Sequence, residues 1–317
     1  MRCSSYEPGA RLAALMRRTG SAPAPAEPGV VVAAYGRHYR VEVSPGVEID
    51  CITRGRKSDV AYGDQVHAAR TGESTGVIEK VDPRRTLFYR SDLRRQKLLA
   101  ANVTQVVLVV AVEPAYSDDL VSRCLVGAEH AGIAALIALN KADLPDAEAA
   151  SRALDLYRGL GYRVVSLSAK RDLSPLRSQL SGQVTVLVGQ SGMGKSTIIN
   201  ALVPDARARV AEISTALGTG RHTTTHAELY HLDQTSHIID SPGLQEFGLN
   251  HLSDADAAEA FVEFRPWLGS CRFRNCLHVN EPGCAISAAA AEGGVSQRRL
   301  ASYRRLAGEL TRKKEWK

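Results

Sequence analysis

The sequence predicts a multidomain protein: a small β-barrel of OB-fold type, a circularly permuted α/β domain built round a phosphate loop (P-loop), and a small, mostly helical C-terminal domain that binds zinc. Three observations predict it. Short strand-like segments separated by glycine turns fill the first third of the chain. Apolar strand patterns and helix patterns then alternate through the middle. Near the end, Cys271, Cys276, His278 and Cys284 crowd together.

The bulk properties are those of a globular protein. The chain has 317 residues, enough for two or three cores, with 44% hydrophobic and 23% charged residues. The longest apolar run, Val106–Val112, is far too short to cross a bilayer. No apolar signal segment opens the chain, so a cytoplasmic protein with no membrane attachment is expected. The net charge is +6, unevenly spread. Residues 298–317 carry eight Lys/Arg against two Asp/Glu, and residues 30–97 carry thirteen against nine. Residues 98–248 carry twelve against fifteen. Basic ends around a mildly acidic middle point to an anionic partner gripped from both flanks.

Residues 1–28 are rich in Ala, Pro and Arg and are expected to form a disordered leader. Residues 29–97 read as the barrel, with strands around the Gly36 turn, at Ile49–Thr53, within Val60–Ala69, at Thr75–Val81 and at Leu87–Tyr89. The loop Arg54-Gly-Arg-Lys57 is basic, as a nucleic-acid-binding barrel loop would be. Residues 98–249 read as the doubly wound domain. Its strands are expected at Val106–Val112, Ile133–Leu139, Val164–Leu167, Val184–Val188, Ala227–Leu232 and His237–Ile239. Helices are expected at Leu120–Ala131, around Ala147–Leu160 and from Lys195. Residues 250–317 form the last domain. Ser253-x-x-Asp256 is a capping box for a helix to about Arg265, and Leu300, Tyr303, Leu306 and Leu310 recur at helical spacing.

The chemistry lies in five motifs. Gly189-Gln190-Ser191-Gly192-Met193-Gly194-Lys195-Ser196, followed by Thr197, stands between an apolar strand and a helix, the context a P-loop requires. Its glycines let backbone N–H groups surround phosphate. Lys195 would reach the β- and γ-phosphates as a catalytic cation, and Ser196 would coordinate Mg²⁺. The strand Ile133–Leu139 ends in Asn140-Lys141-Ala142-Asp143. A carboxylate at Asp143 can accept from guanine N1–H and the exocyclic amine, donors that adenine lacks there, while the stem of Lys141 covers the base. Ser168-Ala169-Lys170 closes the next strand as the supporting base loop. Asp240-Ser-Pro-Gly243 resembles the second switch, with Asp240 holding Mg²⁺ through water and Gly243 facing the γ-phosphate. Gly220-Arg-His-Thr-Thr-Thr225 suits the first switch, with Thr223, Thr224 and Thr225 as candidate ligands. Ordinary GTPases present these motifs beginning with the P-loop; here the base motifs come first, so the order is permuted.

Leu244 stands where many GTPases carry a glutamine that orients water, so unaided GTP hydrolysis is expected to be slow, with His222 the catalytic candidate in its place. In the last domain, three thiols and one imidazole make a closed tetrahedral Zn²⁺ set that leaves no open catalytic position. One structural zinc is therefore expected on Cys271, Cys276, His278 and Cys284.

Together these residues resemble the circularly permuted, ribosome small-subunit-dependent GTPase family (RsgA, also called YjeQ). GQSGMGKS, GRHTTT, DSPG, CRFRNCLHVNEPGCAI and RRLASYRRL carry the resemblance most specifically, with YGDQV, GVIEKVDPR and AANVTQVVLVVA before them. DSPG replaces the commoner DTPG, and Met193 stands where valine is usual. The resemblance implies late maturation of the 30S subunit, contact with its 16S rRNA, binding of GTP and GDP, and hydrolysis stimulated by the subunit. A monomer is expected, with the barrel loop and final helix gripping RNA. The competing expectation is an RNA-binding zinc protein with a vestigial nucleotide site, which one measured turnover of GTP separates.

Overall fold

The computed structural model describes residues 25–54, 59–91, 96–204, 228–241 and 247–315. Its first unit is a closed five-stranded barrel: β1 (Glu27–Tyr35), β2 (His38–Ser44), β3 (Val47–Thr53), β4 (Gln65–Arg70) and β5 (Thr75–Val81). The strand order is β1-β2-β3-β5-β4, and β1 closes the ring on β4. Only β3 and β5 pair in parallel among these five. Side chains alternate across each strand, so Tyr39 and Val41, Ile49 and Cys51, and Val66 and Ala68 point in pairs into one core.

The segment Leu87–Tyr89 is not a barrel strand, which corrects the sequence reading. It lies in β6 (Leu87–Ser91), which pairs with β7 (Gln96–Ala101) as a separate ribbon. Phe88 turns its ring to Phe247 at 5.3 Å, and both bury in the core of the next unit. Strand propensity alone could not choose between the two partners.

Polar contacts stitch the barrel to the middle unit. The buried carboxylate of Asp64 accepts from Ala61 N–H at 2.7 Å and from Arg84 Nε and Nη2 at 2.7 and 2.8 Å. Gly63 adopts φ +82°, and a Cβ there would collide with the Ala101 carbonyl, so only glycine permits this approach. Asn102 Nδ2 then donates to the Gly63 carbonyl at 2.9 Å.

The middle unit is a doubly wound sheet. β8 (Gln105–Ala111), β9 (Ala134–Asn140), β10 (Arg163–Ser166), β11 (Val184–Val188) and β13 (His237–Asp240) run parallel, and β12 (Glu228–His231) returns antiparallel at one edge. The order is β10-β9-β8-β11-β13-β12. β8 is buried along its whole length, as its unbroken apolar run requires. Val106, Leu108 and Val110 face one apolar layer, and Val107, Val109 and Ala111 face the other. β12 also bridges β1 of the barrel at Ala33–Glu228, so barrel and sheet are continuous.

Helix α1 (Asp118–His130) covers the first face. The expected helix around Ala147–Leu160 is two short ones, α2 (Ala147–Ala153) and α3 (Asp155–Gly159), divided at the buried Leu154. A further helix, α4 (Ser174–Leu180), is absent from the sequence expectations, although Pro175 in its first turn is a start signal. It covers the second face with α5 (Lys195–Leu202).

In the last unit Ser253 and Asp256 form the expected capping box, but α6 is brief (Asp254–Glu259) and passes into a 3₁₀ turn, Val262–Trp267. Then come α7 (Ala285–Ala291) and α8 (Gln297–Glu315). Leu300, Tyr303, Leu306 and Leu310 bury the stripe read from sequence, in the same apolar cluster as α1 and β8. This unit therefore shares a core with the sheet.

Candidate functional site

The parallel strands deliver the motif loops to one edge, where ligands gather in such folds. β11 runs into the P-loop and the loop into α5. Gly194 caps that helix in the left-handed region at φ +95°. A Cβ at Gly194 would collide with Asn140 Nδ2, and one at Gly189 with the Val109 carbonyl. The glycines thus serve close packing, apart from any role at a phosphate.

Asn140 ties the pocket together. Its Nδ2 donates to the Met193 carbonyl at 2.9 Å, and its Oδ1 accepts from Ala169 N–H at 2.9 Å and Lys141 N–H at 2.8 Å. One buried amide thereby joins the loops of three strands, β9, β10 and β11. A cavity of about 190 Å³ lies among them, lined by Lys141, Asp143, Ser168, Lys170, Gly194 and Thr197 together with Asn140, Leu144 and Ala169. A hydrogen bond from Ser168 and a nearby backbone N–H hold the Asp143 carboxyl below its ordinary range, and Arg171 approaches it at 3.6 Å. Asp143 is therefore an ionised acceptor at the pocket mouth. Lys141 takes a left-handed φ of +60° and rests its ammonium on the Glu113 carbonyl. Arg171 and Leu144 lie outside the sequence expectations, although each directly follows one of the two base motifs.

Lys195 is buried and donates to the carbonyls of Gly189 and Gln190 at 2.7 and 3.1 Å. Burial lowers its pKa, and the nearby Asp240 opposes that shift. Asp240 ends β13 beside the P-loop strand; burial raises its carboxyl to about 6, against the pull of Lys195. Gln190 reaches away from the loop, its Oε1 accepting from the Ser117 N–H at 3.0 Å where α1 begins. Ser191, Gly192, Met193, Ser196 and Thr197 occupy the loop and first turn of α5 as expected. His222, Thr223, Thr224, Thr225, Gly243 and Leu244 lie outside the described residues, as do the barrel segment 55–58 and residues 1–24 of the expected leader, whose boundary at 28 is corrected by Glu27 and Pro28 pairing with β4 as the start of β1.

The second site is the Cys/His cluster. The ligand atoms of Cys271, Cys276, His278 and Cys284 all lie within 4.8 Å of one another. His278 Nδ1 is 3.4 Å from Cys271 Sγ and 3.6 Å from Cys284 Sγ. Donors at the corners of a tetrahedron with bonds of about 2.0–2.3 Å lie about 3.3–3.8 Å apart, so the set fits a four-coordinate metal. Backbone N–H groups of Ala285 and Ser287 point at the sulfurs of Cys271 and Cys284 at 3.3 and 3.4 Å, as suits thiolates. The one-residue step from Cys276 to His278 is closed by His278 at φ +61°. Glu281 staples the loop by accepting from the N–H groups of Leu277, Val279 and Asn280 at 2.8–3.0 Å, a role that nothing in the spacing signals.

Four of the arginines on α8 engage partners within the chain. Arg298 pairs with Asp118 at 2.6 Å, Arg305 with Asp119 at 3.1 Å, and the buried Arg299 with Glu263 at 2.6 Å. Arg304 donates to Ser287 Oγ at 3.1 Å. The first half of the helix is thus a strut against α1 and its own domain.

Comparison with known proteins agrees with this geometry. A family model described as RsgA GTPase matches residues 81–250. The "Small ribosomal subunit biogenesis GTPase RsgA" of Nitrosospira multiformis is 52% identical over 283 residues, 89% of this chain and 90% of that protein. Its namesake in Ralstonia pickettii is 47% identical over 92% of this chain and 95% of its own. Among solved structures, YjeQ from Thermotoga maritima superposes with a TM-score of 0.69 at 30% identity, covering 90% of this chain and 98% of that one. YloQ, described as a circularly permuted GTPase, gives 0.65 at 28% identity, over 93% and 98%.

Proposed function

The chain belongs to the RsgA GTPase family, and on that footing we propose that it is a GTP hydrolase assisting late maturation of the 30S ribosomal subunit. The observation that carries the proposal is the Asn140 knot, which brings base loops and P-loop to one pocket in permuted order. Asp143 accepts from the guanine N1–H and amine, Lys141 covers the base, and Ser168-Ala169-Lys170 backs it. The N–H groups from Gly189 to Thr197 surround the phosphates, and Lys195 exchanges its carbonyl partners for β- and γ-oxygens. Mg²⁺ held by Ser196 and, through water, by Asp240 would neutralise charge on those oxygens. The threonines 223–225 and Gly243 serve the γ-phosphate, and His222 positions water. One zinc on the Cys₃His set is structural. The partner is the 30S subunit through its 16S rRNA, met by a monomer in the cytoplasm. No helix among the described residues is long and apolar enough to cross a membrane.

The test is GTP turnover with and without purified 30S subunits. Unaided turnover is expected on the order of 10⁻³ s⁻¹, rising with subunits and falling steeply in salt. Equal turnover in both conditions at low salt removes the ribosomal part of the proposal and leaves the GTPase standing. No turnover in either condition favours a vestigial site.

A further inference from the structure

Four of the five phenylalanines in the chain are 0–1% exposed: Phe88, Phe247, Phe261 and Phe264. The fifth, Phe273, is 43% exposed, a large apolar ring left in water. It stands between the metal ligands Cys271 and Cys276, in a turn closed by the Cys276 N–H donating to its carbonyl at 3.3 Å. The neighbouring Arg272 is anchored by its N–H on the Gly283 carbonyl at 3.0 Å, and its guanidinium lies 5.5 Å from the Phe273 ring centroid. Arg272 and Arg274 are both exposed. Among the described residues neither pairs with a carboxylate, unlike Arg298, Arg299 and Arg305 on α8. The cations held ready in this domain include the two that flank the single exposed aromatic ring among its described residues.

We propose that Phe273 is a stacking platform for one unpaired nucleobase of RNA, with Arg272 backing the ring and Arg272 and Arg274 meeting the adjoining phosphates. The proposal rests on the ribosomal function above and names a contact within it. An aromatic face beside unpaired cations suits a single-stranded nucleotide, whose base offers a π-face and whose backbone offers charge. A protein partner of apolar character would not call for two arginines. The loop needs no ordering on binding, because two metal ligands and two backbone hydrogen bonds already fix it.

The experiment uses the full chain, purified small ribosomal subunits and the GTP-bound state. Phe273→Ala is expected to weaken subunit binding about tenfold or more at fixed salt, and Phe273→Tyr to stay within about threefold of the parent. Phe273→Leu keeps the bulk but not the face, and should weaken binding as alanine does. Arg272→Gln and Arg274→Gln should each lower the slope of log affinity against log salt by about one. Zinc content and unaided GTP turnover should stay at parental values in all five variants, which excludes misfolding as the cause. Parental affinity in Phe273→Ala, or in Phe273→Leu, overturns the proposal, the second by assigning the ring to an apolar protein contact. If the parent itself fails to bind subunits, the ribosomal function is at fault and not the stacking contact.

Discussion

The pocket around Asn140 and the cysteine cluster each gather side chains to one point, by opposite means. The pocket draws on residues from Asn140 to Thr197, carried by three parallel strands and joined through one amide. The cluster draws on the fourteen residues 271–284, with His278 in a left-handed conformation to complete the circle. A pocket built by a sheet is present before its ligand, because burial of the strands has already placed the loops. A loop of a few residues has no such core, and one that could hold a metal, as this one could, would depend on the ion for its shape. Each site is therefore vulnerable at a different point.

Removal of the metal should have the largest effect. Structural zinc contributes on the order of 10 kcal/mol to small domains. Cys276→Ala, or prolonged chelation, should unfold the region around residues 271–284. Since α7, α8, α1 and β8 share one apolar cluster, the melting temperature of the whole chain should fall as well. A calorimetric transition unchanged by metal loss would contradict that dependence. Asn140→Ala comes next. It orphans the N–H of Ala169 and the carbonyl of Met193, at a cost of about 3 kcal/mol, and GTP affinity measured by titration should drop roughly a hundredfold. If affinity holds, the three loops do not need their common bolt. Asp143→Asn should change specificity without changing the fold: weaker GTP binding, stronger xanthosine triphosphate binding, and a melting temperature close to that of the parent.

The smallest effect tests the junction between barrel and sheet. His231 Nε2 meets Glu42 Oε2 of the barrel at 2.7 Å, and His231 Nδ1 meets His237 Nδ1 at 2.8 Å. Burial, then the proximity of His231, lowers the pKa of His237, against the charges of Asp233 and Glu42. A depressed imidazole favours the folded state at pH values above its unfolded pKa of about 6.5. That contribution is lost as pH falls from there through the folded value. Denaturant midpoints should therefore decline below about pH 6.5, by less in His237→Gln than in the parent. Identical declines would exclude this residue as the source.

The two sites are legible in sequence to different depths. Val184–Val188 and its glycine-rich loop show a strand, a turn and a helix within nineteen residues, because local sterics and burial dictate each of them. Cys271, Cys276, His278 and Cys284 are legible from donor chemistry. The role of Asn140 as a bolt is hidden, since its partners Met193 and Ala169 are distant in sequence. The departure of β6 from the barrel is hidden for the same reason, as propensity is silent about partners. The arginines of α8 show the limit most plainly. Their count suggests a free basic surface, whereas the carboxylates that engage them, Asp118, Asp119 and Glu263, lie on other elements.

The bridge between Ala33 and Glu228 joins the barrel to the sheet that carries Asp240, whose backbone pairs directly with that of Glu228. Two globules on a slack tether would have to find their mutual bearing afresh at every encounter with a large particle, losing rotational freedom each time. Here a backbone bridge limits that freedom once, when the chain folds. Under the proposed function, orientation imposed on the barrel by RNA would therefore be orientation imposed on the strand that ends in Asp240.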